Sequence, residues 1–190
     1  MEEVLARGPN FIYAKEYIQN QYGDPMWQKI LAELPENDAG VWKGLVVMVG
    51  TYPFSAFKTM SATLSRQLGA NQEIELARMY EYIAERSLNA LYKIFFKFTN
   101  TSFVIGNYPK LWDRFFTAGN VAVQVAEKGH AIIQFILPEI FLDWLPSACL
   151  GYSKKAVEMA GGKNLSIRMI NKLQLEIDLW DIQYELHWKE

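Results

Sequence analysis

The sequence predicts an α+β protein, a helical layer packed on a four-stranded antiparallel sheet. Three observations carry this. Apolar residues recur at helical spacing as far as residue 119, the period drops to two at Asn120, and one helical stretch, 145–160, separates two alternating pairs. Helices segregated from a small sheet must cover its apolar face. The expectation is therefore one domain over residues 1–190, with a helical part at 1–119 and a hairpin–helix–hairpin part at 120–190.

Asn10 is placed to cap a first helix carrying Phe11, Ala14, Ile18 and Tyr22, with Gly23 as its stop. Asp24 and Pro25 then supply a cap and a first-turn proline for a second, with Trp27, Ile30, Leu31 and Leu34 on one side and Pro35 ending it. Residues 35–40 read as a polar loop, and 41–49 is apolar but too short for its period to tell helix from strand. A third helix is expected over 51–69, on Phe54, Phe57, Leu64 and Leu68, and the longest over 71–99, which has no internal Gly or Pro. Asn107, Tyr108 and Pro109 open a shorter one carrying Leu111, Trp112, Phe115 and Phe116, closed by Gly119.

Val121, Val123 and Val125 then alternate, Lys128 and Gly129 supply a turn, and Ala131, Ile133 and Phe135 alternate again, forming a hairpin. After the 145–160 helix and its Gly161-Gly162 terminator, Leu165, Ile167, Met169, Leu173, Leu175, Ile177 and Leu179 alternate in one phase. Beyond a turn at Trp180 and Asp181, Ile182, Tyr184, Leu186 and Trp188 alternate in the other. A second hairpin with one buried face accounts for both runs.

Composition removes several function classes. Nineteen Lys+Arg against 21 Asp+Glu, with no basic block, give no surface for nucleic acid. Cys149 is alone, which excludes a disulfide scaffold and points to a reducing compartment. The acidic start, MEEVLARGPN, lacks an apolar leader, and the greasiest stretch, 131–150, is broken by Gln134, Pro138, Glu139, Asp143 and Pro146. The expectation is a cytoplasmic protein without a membrane span.

Catalytic and metal chemistry find little support. The metal-ligating stock is Cys149, His130 and His187. His187 lies out of phase with the apolar face of its strand and should meet solvent, His130 follows a turn, and Cys149 reads as a small buried hydrophobe. No metal and no cofactor is therefore expected. There is no GxSxG, no HExxH and no Cys with a local His partner. Glu139 and Asp143 share a helix face but read as the polar edge of a buried aromatic segment, and Gly161-Gly162 stands in the order of a helix terminator, not of a phosphate loop. No enzyme is expected.

An aromatic surplus is left over: 27 Phe, Tyr and Trp residues, many at helix positions able to face the sheet. They are either core or the walls of an apolar cavity.

The order of segments, with Arg7-Gly8 and Phe11, Thr51-Tyr52-Pro53-Phe54, Tyr108-Pro109-Lys110-Leu111-Trp112, Gly119, Cys149-Leu150-Gly151, Ala160-Gly161-Gly162 and Leu186-His187-Trp188, resembles a known superfamily. It groups haem nitric-oxide-binding domains, 4-vinyl-reductase-like domains and Bet-type subunits of the Golgi tethering complex, and the likeness is nearest to an uncharacterised bacterial family common in deltaproteobacteria. The resemblance implies a helical layer on an antiparallel sheet, often enclosing a small-molecule site or acyl-like tunnel, in sensory or regulatory domains of which some dimerise. Haem-binding relatives carry a proximal His on the helix before the sheet and a Tyr-x-Ser-x-Arg clamp. Residues 108–116 hold no His, the clamp is missing, and the last hairpin lacks the cysteines of many bacterial members.

Two readings follow. The first is a non-catalytic sensory or regulatory domain signalling through a small apolar ligand held without haem between helices and sheet, by Tyr52, Phe54, Tyr92, Phe96, Trp112, Phe116 and Cys149. The alternative is a homodimeric adaptor with a solid core, whose partner is a second copy or a signalling protein.

Overall fold

The N-terminal strand β1 (Leu5–Arg7) pairs antiparallel with β2 (Thr51–Pro53) and leads straight into α1 (Gly8–Glu33), in a computed structural model that describes residues 3–69, 72–92 and 100–190. Five more helices follow: α2 (Glu36–Lys43), α3 (Phe54–Leu68), α4 (Gln72–Tyr92), α5 (Thr101–Gly106) and α6 (Tyr108–Phe115). The sheet is built from β3 (Asn120–Glu127), β4 (His130–Leu137), β5 (Lys163–Glu176) and β6 (Leu179–Lys189), with a 3₁₀ turn at Glu139–Phe141 and α7 (Leu145–Met159) between its hairpins. All its pairings are antiparallel, in the order β3-β4-β6-β5. This is the predicted α+β architecture.

Alternation decides which side of the sheet is covered. Ala131, Ile133, Phe135 and Leu137 of β4 and Ile182, Tyr184, Leu186 and Trp188 of β6 point at the helices and are buried. A continuous run of rings joins that face to the helical layer. Phe11 meets Trp42 and Phe57, Phe57 stacks on Phe54, Phe54 meets Phe116, Phe141 and Trp144, and Trp112 bridges Phe116 to Phe135. Gly151 lets α7 lie directly on α4, since a Cβ there would sit 2.3 Å from the Ala77 carbonyl oxygen.

The structure corrects several local expectations. Asn10 does not cap α1, which starts at Gly8; it is buried inside the helix and its Nδ2 donates to the Phe115 carbonyl at 3.2 Å. The two helices expected on either side of Gly23 run on as one element kinked there. The expected loop at 35–40 is mostly α2, which buries Ala39 and Trp42 and carries Glu36 and Asp38 in its first turn, where they complement the helix dipole. The third helix begins at Phe54 because Thr51–Pro53 pairs with β1. The long helix is described as far as Tyr92, and residues 93–99 lie outside the described residues.

The largest correction concerns β5. Its apolar residues do not share one buried face, because the register against β6 shifts between Met169 and Asn171 and again between Gln174 and Glu176. Each extra residue turns the following side chains over to the opposite face. Ile167 and Met169 stand opposite inward-facing Leu186 and Tyr184, whereas Leu173 stands opposite Asp181 on the other face. Leu173, Leu175 and Ile177 end up exposed. The hairpin turn also lies earlier than expected, at Ile177 and Asp178, with Asp178 at φ 62.

Candidate functional site

Between α6 and α7 lies a cavity of about 20 Å³, walled by Tyr108, Leu111, Trp112, Phe115, Phe116, Trp144, Leu145, Ala148, Cys149 and Tyr152, with no residue of the four-stranded sheet in its lining. Helical spacing explains the set. Tyr108, Leu111, Trp112 and Phe115 form the buried stripe of α6, while Leu145, Ala148, Cys149 and Tyr152 form that of α7. Trp112 is fixed by Nε1 donating to the Ala118 carbonyl at 2.9 Å.

Of the expected pocket residues, Trp112, Phe116 and Cys149 are brought together here, and Phe54 packs behind them, its ring 5.7 Å from Phe116. Tyr52 does not join them. It packs on Phe11, and its hydroxyl accepts from the Val47 amide at 2.8 Å, stapling the loop between α2 and β2. Tyr92 closes α4 and Phe96 lies outside the described residues. Tyr108, Trp144 and Tyr152 were not singled out as pocket residues from sequence. Trp144 sits in the short segment between a strand and α7, where no periodicity marks a face.

One end of the cavity is polar. The Tyr108 hydroxyl lies against Cys149 and Ser153, and the Cys149 Sγ is 3.9 Å from Ser153 Oγ. Burial pushes the Cys149 thiol up to about 12, only partly opposed by hydrogen bonds from Ser153 and Tyr108. Burial likewise raises Tyr108 and Tyr152 above the usual tyrosine range. A thiol held protonated in this way is a packing group, not a nucleophile. Two polar atoms of the cavity walls, Trp144 Nε1 and Tyr152 Oη, are buried without a hydrogen bond. Tyr80 stands beside Trp144 and Ser87 beside Tyr152, and neither lines the cavity. Trp144 also walls an outer cleft of about 290 Å³, with Lys58, Arg66, Tyr80 and Asp143 among its lining residues.

No protein-family model and no curated protein matches the sequence. Solved structures do match. The chain superposes on the Fe(II) unliganded H-NOX protein from K. algicida with a TM-score of 0.71 and 14% identity, over 97% of both chains. An Fe(II) H-NOX protein from S. oneidensis gives 0.72 at 11% identity, over 97% of this chain and 96% of that one. The fold is that of the H-NOX domains. A third match with the H-NOX fold is an oxygen-binding domain related to soluble guanylate cyclases, in its oxygen complex, at TM-score 0.70 and 8% identity, over 97% and 95% of the two chains.

The H-NOX fold implies a haem, and the residues present do not fit one. Cofactor-sized sites run to about 300–1,000 Å³, whereas this cavity has about 20 Å³ between walls that include Trp112, Phe116 and Trp144. Its walls hold no imidazole and no cation. The chain's two histidines, His130 and His187, stand on the other face of the sheet, out of phase with buried Ala131 and Leu186.

On that outer face three groups converge that sequence reading kept apart. His130 and His187 are cross-strand partners with rings stacked 4.6 Å apart, and Glu185 brings Oε1 within 3.3 Å of His130 Nε2 and 3.5 Å of His187 Nε2. The signal was positional: Glu185 and His187 share a face at i, i+2, and pairing β4 with β6 puts His130 opposite. Glu139 and Asp143, by contrast, form no pair; Asp143 binds Lys58 at 3.3 Å.

Proposed function

We propose that this chain is a non-catalytic, cytoplasmic sensory or regulatory domain that takes a small apolar molecule into the aromatic cavity, without haem. The observation that carries it is the wall itself, a buried cavity between α6 and α7 lined by six aromatic side chains, with Cys149 among them. The rings offer an apolar molecule contact area on every side. About 20 Å³ holds little more than one water-sized group. The ligand is therefore a molecule of very few atoms, or a larger one admitted when the Trp144 ring turns and joins the cavity to the outer cleft. Sensing is also the role the H-NOX neighbours support, one of them being an oxygen-binding domain.

Native mass spectrometry of fresh protein, repeated after denaturation, tests this. The expected result is a mass excess lost on denaturing and about fivefold less retained in Trp144→Leu, which removes the ring shared by the cavity and the outer cleft and about 1 kcal/mol of aromatic contact. An excess equal to a haem would overturn the haem-free part.

A bare mass would favour the second reading, a homodimer with a solid core. A specific observation supports it: β5, the longest strand with 14 residues, is an open edge of the sheet and carries exposed Ile170, Leu173 and Leu175.

A further inference from the structure

We propose that His130, Glu185 and His187 form a divalent transition-metal site of the zinc class on the outer face of the sheet, independent of the cavity. The ligand atoms of the three lie within 4.8 Å of one another. A tetrahedral zinc with bonds of about 2.0–2.1 Å separates its ligand atoms by about 3.3–3.4 Å. The Nε2-to-Oε1 distances of 3.3 and 3.5 Å stand at that spacing before any ion draws the groups in. Bringing the two Nε2 atoms to the same separation takes only side-chain rotation, because the backbone already sets His130 and His187 directly opposite.

The angles favour a shared centre over an ion pair. His130 Nε2 is buried and forms no hydrogen bond although Glu185 Oε1 is 3.3 Å away, so its ring is not aimed along an N–H···O line. Arg168, paired with Glu185 across β5 and β6, donates from Nη2 to Glu185 Oε2 at 2.8 Å and turns the other oxygen toward the imidazoles. Outer partners of this kind fix the orientation of metal-bound carboxylates. Two imidazoles and one carboxylate suit zinc and its neighbours better than magnesium or calcium. Three protein ligands leave a fourth position for water or for a group from another molecule. His187 is half-exposed, so that position opens to solvent. Bound metal would tie β4 to β6 at the end of the sheet where β3 and β4 turn.

The test uses tag-free, chelator-treated full chain titrated with Zn²⁺ by calorimetry and with Co²⁺ by visible absorption. The expected result is one equivalent bound, tetrahedral Co²⁺ bands, and a melting temperature raised by Zn²⁺. His187→Ala and His130→Ala should each weaken binding at least 100-fold, and Arg168→Ala, a positioning residue, by about 10–100-fold. Circular dichroism confirms that each variant is folded, and exposed His187 makes that variant the decisive one. No uptake by the wild type, or uptake unchanged in folded His187→Ala, overturns the proposal.

Discussion

At Cys149 a single atom reports the state of the interior. The thiol is 1% exposed and burial holds it protonated, so a disulfide reagent at pH 8 should leave it untouched in the native protein and modify one equivalent in guanidinium. Reaction of the native protein at the rate of a free thiol would mean that the α6–α7 wall opens. The same burial sets the response to alkali. A thiol whose pKa is raised on folding binds its proton more tightly in the native state, so its contribution is fully present below about 9 and lost as pH climbs toward about 12. Buried Tyr80, Tyr108, Tyr152 and Tyr184 are shifted in the same direction. Chemical denaturation across pH 8–11 should therefore show stability falling with pH; a flat profile would contradict the burial of these groups. Of the pocket residues, Trp112 was legible because it lies on the buried stripe of α6, and Phe116 follows that helix directly in extended backbone. Trp144 was not, since nothing in a short connecting segment says which way a ring points.

Elements were legible where one period ran unbroken, as in α3, α6, α7 and β4, whereas a register shift between Val123 and Val125 breaks the alternation expected of β3. They were misread where one residue changed the phase. The shift after Met169 is the clearest case: the sequence alternates through it, and only the pairing with β6 shows that Leu173 has turned outward. The Gly23 kink is another. Its φ of 80 and ψ of 170 lie in a region essentially reserved for glycine, while the nearest atom to an added Cβ is Pro25 Cδ at 3.5 Å. Gly23→Ala should thus cost about 1–3 kcal/mol by urea denaturation through backbone strain alone. A loss below about 0.5 kcal/mol would show that the helix straightens there without harm.

For the molecule as a whole the open question is what meets its uncovered apolar surface. Besides β5, the loop after α2 presents Leu45 at 86% and Val49 at 88% exposure, its base stapled by Tyr52. No helix among the described residues is long and apolar enough to cross a membrane. If β5 pairs with a second copy, sedimentation velocity should show a monomer–dimer equilibrium that Leu173→Lys shifts at least tenfold toward monomer. A monomer at every concentration would remove the adaptor reading and leave the cavity as the working site.

Sequence alone determined the α+β class, the switch from helix to sheet at Asn120 and the burial of Cys149, because each follows from local periodicity and from the free energy of taking apolar groups out of water. Tertiary structure decided how much room the rings leave and which residues distant in sequence meet. Cavity and core share one composition and differ only in the last ångström of packing. Whether His130 stands beside Glu185 and His187 depends on the register of two strands nearly fifty residues apart, which no local pattern encodes.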